Sequence, residues 1–255
     1  MAKAQWLSDP NCPPEEIEKS NAWFARLEVN TEKQLKTLLR ESPHDEAATR
    51  IAETLHSRTE QINNSTFGKL NELRQAGDDI PEVACQRGCH YCCHLEVGCY
   101  APEAIRIADH LRKTRNAKEL SALVTKMRAH SKRKESRTKR QRAEANQGPC
   151  PFLGSAGECT IYEVRPISCR TYLSFSLNTC QRAFANPQRK FHVTMVADPL
   201  DTRDAVFSAI EKASEKVDVS SDQLELIRSV LVALDNPDAA TLWREESDLF
   251  AEAAL

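Results

Sequence analysis

Nine of the ten cysteines in this chain fall between residues 85 and 180, and eight of these nine form two clusters. The clusters are Cys85, Cys89, Cys92 and Cys93, followed by Cys150, Cys159, Cys169 and Cys180. Thiolates are soft, anionic ligands that bind zinc and iron strongly. The sequence therefore predicts a metal site built from these eight cysteines.

The spacing within each cluster indicates how the thiols would reach a metal. Cys89 and Cys92 are separated by two residues, which can aim both thiolates at one metal, and Cys85 can supply a third ligand. Cys92 and Cys93 are neighbours, and adjacent side chains of an extended segment point apart. We therefore expect these two to serve different metals, or one of them to remain a spare thiol. The second cluster has intervals of nine to eleven residues, which suit a loop that returns repeatedly to a metal core.

The number of cysteines leaves two kinds of centre open. Eight thiolates can hold two tetrahedral zinc ions, or one [4Fe–4S] cluster with four cysteines to spare. Either four-thiolate centre has a net negative charge and needs nearby cations or N–H donors. Four arginines are placed in the sequence to supply that charge, although ordinary ion pairs within the fold explain them equally well. They are Arg87, Arg165, Arg170 and Arg182.

Other residues near the clusters have more ordinary expected roles. His90 and His94 interleave the first cluster, and with many cysteines nearby we expect them to lie beside the site rather than bind the metal. Glu103 can bind a metal or substrate, but a Glu at this position more often complements a helix dipole. Cys12 and Cys99 are expected to be ordinary thiols, although Cys99 is close enough to the first cluster to be a spare ligand.

The cysteine pattern resembles the YkgJ-type cysteine-cluster family, also described as the CxxCxxCC zinc- or iron-chelating domain. The resemblance is carried by Gln86 to Cys93, Glu103-Ala104, Cys150-Pro-Phe-Leu153, Cys159 to Pro166, and Cys169-Arg170. One departure is that three residues separate Cys85 from Cys89, where the family name implies two. The resemblance implies metal chelation but no particular reaction. Some relatives look like flagellin lysine methylases, whereas this sequence has no visible methyl-donor motif.

The composition is typical of a soluble globular protein. The chain has 255 residues, of which 40% are hydrophobic and 28% are charged. No apolar run is long enough to span a bilayer, and the first ten residues contain no apolar signal core. We therefore expect a cytoplasmic protein without a membrane partner. In a reducing compartment, clustered cysteines favour metal binding over disulfides.

The charges are distributed unevenly along the chain. Residues 112–142 contain thirteen Lys or Arg against two acids, whereas residues 201–255 contain thirteen acids against five bases. This pattern predicts complementary packing of the two segments, or two solvated faces. The basic segment can also contact nucleic-acid phosphates. However, it lacks interleaved aromatic residues and any base-reading motif, so nucleic-acid binding is the less favoured interpretation.

The apolar spacing predicts a mainly α protein, with helical N- and C-terminal segments around an irregular cysteine-rich core. We expect a helical region at 1–80, a cysteine-cluster metal-binding domain at 82–182 and an acidic helical region at 200–255. The middle domain includes a basic helical insertion at about 112–147.

Several local signals predict where elements begin and end. Ser42-Pro43 and Gly77 should end two helices, and Pro102 should start another. Residues 191–196 are predicted to form a short strand. Ser220 with Gln223 is predicted to cap a helix that begins before Leu224, and Asn236-Pro237 to start the last helix.

Three functions remain open on the sequence alone. The first choice is a metal-binding protein whose site is structural or chelating. The second is an iron–sulfur enzyme that transfers electrons or a methyl group, and the third is a zinc-stabilised module that binds nucleic acid or a protein partner. The sequence shows no catalytic triad, phosphate loop or dinucleotide motif, so a metal-independent enzyme has little support.

Overall fold

The computed structural model describes residues 14–135, 148–187, 193–217, 219–245 and 248–255. Cys12, the basic stretch at 136–147, and the first two residues of the predicted strand lie outside the described residues. Within the described part, nine α-helices accompany one two-stranded sheet. The prediction of a mainly α protein is confirmed.

Two long helices form the N-terminal part. Helix α1 spans Pro14–Glu41 and helix α2 spans His44–Gln75. Pro43 separates them, because proline disfavours helical backbone in the residue before it. Gly77 follows α2 with φ 100°, a left-handed conformation that glycine adopts without strain. Both predicted helix ends are confirmed.

The middle of the chain begins with a short strand and two helices. Strand β1 spans Gly98–Cys99, helix α3 spans Ala101–Thr114, and helix α4 spans Ala117–Glu135. Helix α3 begins beside Pro102, as the sequence predicts. Most of its residues are buried, which places this helix at the centre of the molecule.

The cysteine region, defined as residues 85–94 and 148–187, has little regular structure. It contains 3₁₀ turns at Tyr91–His94 and Tyr162–Val164, and two short helices, α5 at Ile167–Thr171 and α6 at Leu177–Ala185. The remaining backbone follows turns and loops, as the turn-rich sequence predicts.

The C-terminal part returns to helix. Helix α7 spans Ala197–Glu215, and strand β2 at Leu224–Glu225 pairs antiparallel with β1. Helix α8 spans Leu226–Asp235, helix α9 spans Ala239–Glu245, and a final 3₁₀ turn covers Ala251–Ala253.

Two predicted helix starts in this part are wrong. Helix α8 is capped by Glu225, whose carboxylate accepts a hydrogen bond from the Arg228 N–H at 2.9 Å. The predicted Ser220 cap fails because pairing with β1 draws Leu224 and Glu225 into a strand first. Asn236 closes α8 instead of opening α9, and its N–H donates to the Val232 carbonyl at 3.2 Å.

The predicted strand at 191–196 is also wrong for the four residues that the structure describes, 193–196. Met195 makes a single antiparallel bridge with Ser174, and α7 begins at Ala197. The segment therefore serves as a connection that runs past the cysteine region into α7.

One apolar cluster joins the three parts of the chain. Helices α1 and α2 contribute buried leucines at helical spacing, α3 and α7 pack against these two helices, and α8 packs on α3. We call these five helices the helical frame. Phe152, Ile161 and Ile167 extend the same cluster to the cysteine region. None of the described helices is both long and apolar enough to cross a membrane.

The basic helix α4 packs on the acidic C-terminal part. Arg128 forms an ion pair with Asp235 at 2.8 Å. Arg112, at the end of α3, donates to the Ala233 carbonyl at 2.6 Å. These contacts agree with the complementary packing that the charge pattern predicts.

Candidate metal centre

Three segments bring the eight predicted cysteines into one neighbourhood. The first loop, residues 85–94, contains Cys85, Cys89, Cys92 and Cys93, and the second loop, residues 148–160, contains Cys150 and Cys159. Cys169 lies on α5 and Cys180 on α6. All eight are partly buried free thiols.

The first loop presents its cysteines through two tight turns. Gly88 has φ 88°, and the next residue, Cys89, donates its N–H to the Gln86 carbonyl at 3.0 Å. The Tyr91 backbone N–H opposes the rise in the pKa of the Cys89 thiol. The 3₁₀ turn that follows contains Cys92 and Cys93. This geometry supplies a backbone donor to one thiol, as metal-bound sulfur atoms commonly require.

The second loop folds back on itself as a small hairpin. Leu153 and Cys159 pair as an antiparallel bridge, and the Thr160 N–H donates to the Phe152 carbonyl at 2.8 Å. The Ile161 backbone N–H opposes the rise in the pKa of the Cys159 thiol, as the Tyr91 N–H does at Cys89. Both loops therefore offer a thiol with a backbone N–H donor two residues later.

Backbone contacts join the two loops directly. The Cys150 N–H donates to the Cys93 carbonyl at 2.8 Å. Gly157, with φ 80°, approaches Gly88 so closely that a Cβ atom on Gly157 would lie 2.8 Å from the Gly88 carbonyl oxygen. Only glycine fits this position without displacing the neighbouring backbone.

The segment between α5 and α6 holds the beginning of the first loop. The Ser174 N–H donates to the Cys85 sulfur at 3.2 Å, and the Ala84 N–H donates to the Ser174 carbonyl at 2.8 Å. Cys85 thus has a defined place beside the other thiols, although its spacing departs from the family name.

Helix α6 packs against the 3₁₀ turn of the first loop. The Phe184 ring lies 5.6 Å from the Tyr91 ring and 4.7 Å from the His94 ring, measured between centroids. Gln181 donates to the Tyr91 hydroxyl at 3.0 Å. These contacts bring Cys180, on the same helix, to the first loop.

The thiols influence one another strongly. Burial raises the pKa of Cys85, Cys89, Cys159 and Cys169, and the charges of neighbouring thiols raise it further. The pKa of Cys92 is also raised, first by its hydrogen bond with Cys93 and then by burial. A bound cation reverses this balance, because it stabilises the thiolate form.

Arg165 is the arginine best placed to compensate negative charge at the thiols. Its positive charge favours the thiolate forms of Cys92, Cys159 and Cys169 and so opposes the rise in their pKa. The guanidinium lies 3.9 Å above the centre of the Tyr162 ring. Its Nε atom is buried and has no hydrogen-bond acceptor among the described residues. An anionic thiolate centre would supply one.

The other arginines contribute differently. Arg170 is buried and ties α5 to its surroundings, since it donates to the carbonyls of Arg165 and Glu163 and to the Glu60 carboxylate. Arg87 is exposed on the first loop, and Arg182 lies on α6.

Glu103 has a structural role beneath the site. It is fully buried, and its carboxylate accepts hydrogen bonds from the Tyr100 N–H at 3.1 Å and the Ile167 N–H at 2.7 Å. His56 Nε2 lies 3.3 Å from the same carboxylate. Glu103 therefore caps α3 and holds the start of α5, the helix that contains Cys169. This agrees with the helix-terminus role that the sequence favours.

The remaining cysteine and histidine predictions can be located as well. Cys99 is buried, and its sulfur lies 3.3 Å from the Ser229 hydroxyl on α8. The His90 ring stacks on the Tyr91 ring at 4.9 Å, and the His94 ring lies 6.0 Å from the His90 ring. The two histidines belong to the aromatic cover of the first loop.

The donor set fits a thiophilic metal, but the side chains are not aligned as ligands. Among the described residues, no group of three His, Cys, Asp or Glu side chains has the arrangement of a metal-binding site. Binding therefore requires the thiols to reorient. Thiolates are ligands that suit zinc or iron, and Arg165 can offset part of the negative charge of a thiolate centre.

Residues 84–188 match the family model CxxCxxCC, described as "Putative zinc- or iron-chelating domain". This is the family that the cysteine pattern indicates, so the resemblance is confirmed for this segment. The match supports metal binding and specifies no reaction. No curated protein and no solved structure shows significant similarity to the chain.

Sequence reasoning missed two contributors to the site. Ser174 supplies an N–H donor to Cys85, and Tyr172 lies among the thiols of Cys85, Cys92 and Cys180, where burial raises its pKa. The sequence signal for both residues is that they follow Cys169 closely. Their roles depend on the path of the chain after α5, and residue types alone do not determine that path.

Proposed function

We propose that this protein binds zinc or iron through the clustered cysteines, and that the bound metal holds the cysteine region together. The observation that carries the proposal is the convergence of thiols from two loops and two short helices. The Ser174 N–H donates to the Cys85 sulfur, and backbone N–H groups favour the thiolate forms of Cys89 and Cys159. Such donors stabilise metal-bound sulfur.

We expect a structural role for the metal chiefly at the first loop and at α6. The 3₁₀ turn at Tyr91–His94 contains no buried residue, and neither does α6. Apolar burial therefore contributes little there, whereas thiolate–metal bonds commonly supply folding free energy. The helical frame contributes most of the apolar cluster, so we expect it to depend less on the metal.

The metal itself distinguishes two forms of this proposal. Zinc would make the site structural or chelating, which is the form we favour. A [4Fe–4S] cluster would favour an enzyme that transfers electrons or a methyl group, with catalytic residues still to be assigned. Both forms use the same cysteines.

Elemental analysis of protein purified without oxygen tests the proposal and separates its two forms. We expect zinc or iron to copurify with the chain. Iron, acid-labile sulfide and a broad absorption near ~400 nm would identify an iron–sulfur cluster, whereas zinc without visible colour would identify a structural site. Protein that neither contains nor takes up either metal would contradict the proposal.

Serine substitutions identify the ligands. Cys159→Ser and Cys169→Ser should each lower both the metal content and the melting temperature, because serine is a poor ligand for a thiophilic metal. Cys99→Ser is the matched control, since Cys99 contacts Ser229 instead of the cluster. A cysteine whose serine variant keeps full metal and an unchanged melting temperature is no ligand.

The expected partner is a metal ion or cluster in a reducing, cytoplasmic environment, which would keep these thiols reduced. Nucleic-acid binding by the basic segment is a less favoured alternative, because Arg112 and Arg128 already contact α8. Salt-dependent binding of nucleic acid that is lost when Lys132, Arg133 and Lys134 become Glu would support that alternative.

A further inference from the structure

Buried polar side chains form a row along one face of helix α2. The row consists of His56, Thr59, Asn63 and Thr66, which recur at helical spacing and are each at most 5% exposed. A core-facing helix usually presents apolar residues at such positions. Each of these polar side chains needs a hydrogen-bond partner, because a buried polar group without one is costly.

The partners of this row lie on different elements. The Thr59 hydroxyl donates within α2, to the carbonyl four residues earlier, at 2.8 Å. The Thr66 hydroxyl donates to the Asp198 carboxylate on α7 at 3.1 Å. The Asn63 side-chain amide donates to the Arg170 carbonyl on α5 at 3.1 Å. Asn63 therefore reaches the helix that contains one of the predicted ligands.

Helix α5 needs such external contacts because it is very short. It has five residues, Ile167–Thr171, and a helix of this length is not stable by itself. The last carbonyls of a helix also lack acceptor partners within the helix, and Asn63 supplies a donor to one of them, the Arg170 carbonyl. Glu103 holds the opposite end, where it accepts the first N–H of α5 at 2.7 Å. The helix is thus held at both ends by side chains of the frame.

The end of α5 that Asn63 contacts lies on the path from one predicted ligand to another. Arg170 directly follows Cys169 in the chain. Four residues later, the Ser174 N–H donates to the Cys85 sulfur at 3.2 Å, and the Ser174 carbonyl accepts the Ala84 N–H at 2.8 Å. The position of the Arg170 carbonyl therefore affects both Cys169 and the start of the first loop.

The amide of Asn63 has a cost that packing alone does not explain. Its Oδ1 atom is buried and has no hydrogen-bond donor among the described residues. Leucine would fill a similar volume without leaving a buried acceptor unsatisfied. What asparagine adds at this position is the hydrogen bond to the Arg170 carbonyl.

We propose that Asn63 is a positioning residue of the metal centre. Through the Arg170 carbonyl it fixes the end of α5, and with it the direction of the Cys169 side chain and the path of the chain towards Ser174. Asn63 acts through the backbone of α5 and does not bind the metal itself. This inference rests on the proposed metal-binding function.

A pair of substitutions on the same face of α2 tests the proposal. Asn63→Leu removes the donor and keeps most of the volume. Thr59→Val is the matched control, because it removes a buried hydroxyl whose hydrogen bond stays within α2. Asn63→Leu should lower the affinity for zinc by about tenfold, the lower end of the loss that outer partners of metal ligands cause. Thr59→Val should leave the affinity unchanged, as measured by competition with a chromophoric chelator.

Cysteine labelling of the reduced, metal-free protein provides a readout that needs no bound metal. Brief alkylation followed by mass spectrometry of peptides measures how fast each thiol reacts. Asn63→Leu should speed the labelling of Cys169, whereas Thr59→Val should not. Cys99, which is buried against Ser229, reports on the core and should keep its rate in both variants. General loosening of the fold would instead speed the labelling of Cys99 as well, and that result would overturn a specific positioning role.

The remaining outcomes separate this inference from the function on which it rests. Unchanged labelling of Cys169 in folded Asn63→Leu, or faster labelling with unchanged zinc affinity, would overturn the role of Asn63. Equal effects of Thr59→Val would also overturn it, since the row as a whole would then be responsible. If the wild type bound neither zinc nor iron, the proposed function would fail, while the labelling of Cys169 would still decide whether Asn63 positions this thiol. Circular dichroism checks folding, and Asn63→Ala replaces Asn63→Leu if leucine prevents it.

Discussion

The helical frame and the cysteine region are held together by different kinds of contact. Helix α3 buries most of its length against α2 and α8, and its buried residues include Ile105, Ile107 and Leu111. In contrast, all eight clustered cysteines are only partly buried, and their loops are held by turns and single backbone hydrogen bonds. The comparison indicates that apolar burial organises the frame, whereas we expect the proposed metal to stabilise the parts of the cysteine region that bury little apolar surface.

A carboxylate joins these two regions. Glu103 belongs to α3 in the frame, yet it accepts the N–H of Ile167, the first residue of the helix that contains Cys169. It also contacts His56 on α2. The position of one predicted ligand thus depends on a buried hydrogen bond from the frame.

The largest expected effect is in the frame. Leu55→Ala removes a fully buried side chain from the apolar cluster and should lower the free energy of unfolding by about 2–5 kcal/mol. Metal content per folded chain should not change, since Leu55 lies on α2 and outside the cysteine region. Denaturant unfolding and elemental analysis of the same sample would check both expectations. Loss of metal from the folded variant would contradict the expectation that metal binding does not depend on packing in the frame.

A change where the two regions meet should affect both of them. Glu103→Ala leaves the buried N–H groups of Tyr100 and Ile167 without their acceptor and should cost about 2–4 kcal/mol of stability. It should also weaken metal binding, because α5 loses the contact that holds its first residue. Glu103→Gln keeps the shape and one carbonyl acceptor, so its losses should be smaller. Equal stability of Glu103→Ala and the wild type would contradict this structural role.

A change inside the loops should act mainly on the metal. Gly157→Ala puts a Cβ atom 2.8 Å from the Gly88 carbonyl oxygen in a residue with φ 80°. The strain should cost about 1–3 kcal/mol and separate the two loops, so metal affinity should fall. Competition with a chromophoric chelator would measure that affinity.

Gly68 provides the matched control for this substitution. It lies within α2, and a Cβ atom there would meet nothing within 4 Å. Gly68→Ala should therefore stabilise the protein by roughly 0.5–1 kcal/mol and leave metal affinity unchanged. A similar loss of affinity in both variants would show that the close approach of the loops is unimportant.

The smallest expected effect is on the surface. Arg128 and Asp235 form an ion pair at 2.8 Å in which both side chains are more than half exposed. Arg128→Ala should change stability by only about 0–1 kcal/mol, and added salt should reduce the difference. Thermal unfolding at low and high salt would detect it. A larger effect would mean that charge complementarity does more for the packing of α4 than we expect.

Much of the frame was predictable because its signals are local. Pro43 and Gly77 end helices for reasons of backbone geometry that hold in any fold, and Pro102 starts one for a similar reason. The predicted cap at Ser220 is wrong because pairing between Leu224 and Cys99 is a long-range contact. Local sequence contains no information about which distant strand a segment will meet.

The site was predictable in composition but not in arrangement. The residue types alone indicate eight candidate ligands, and the structure brings all of them into one neighbourhood. How Cys180 approaches the first loop depends on where α6 docks, and that docking involves contacts such as Phe184 with Tyr91. The Ser174 donor to Cys85 likewise arises from the path of the chain between two helices.

Hydrogen exchange of the metal-free and metal-loaded protein, compared segment by segment, tests the difference between the two regions most directly. The account predicts that metal removal speeds exchange in residues 85–94 and 148–187 while α2, α3 and α8 stay protected. Unchanged protection of the cysteine region without metal would contradict the account, and so would simultaneous loss of protection throughout the frame.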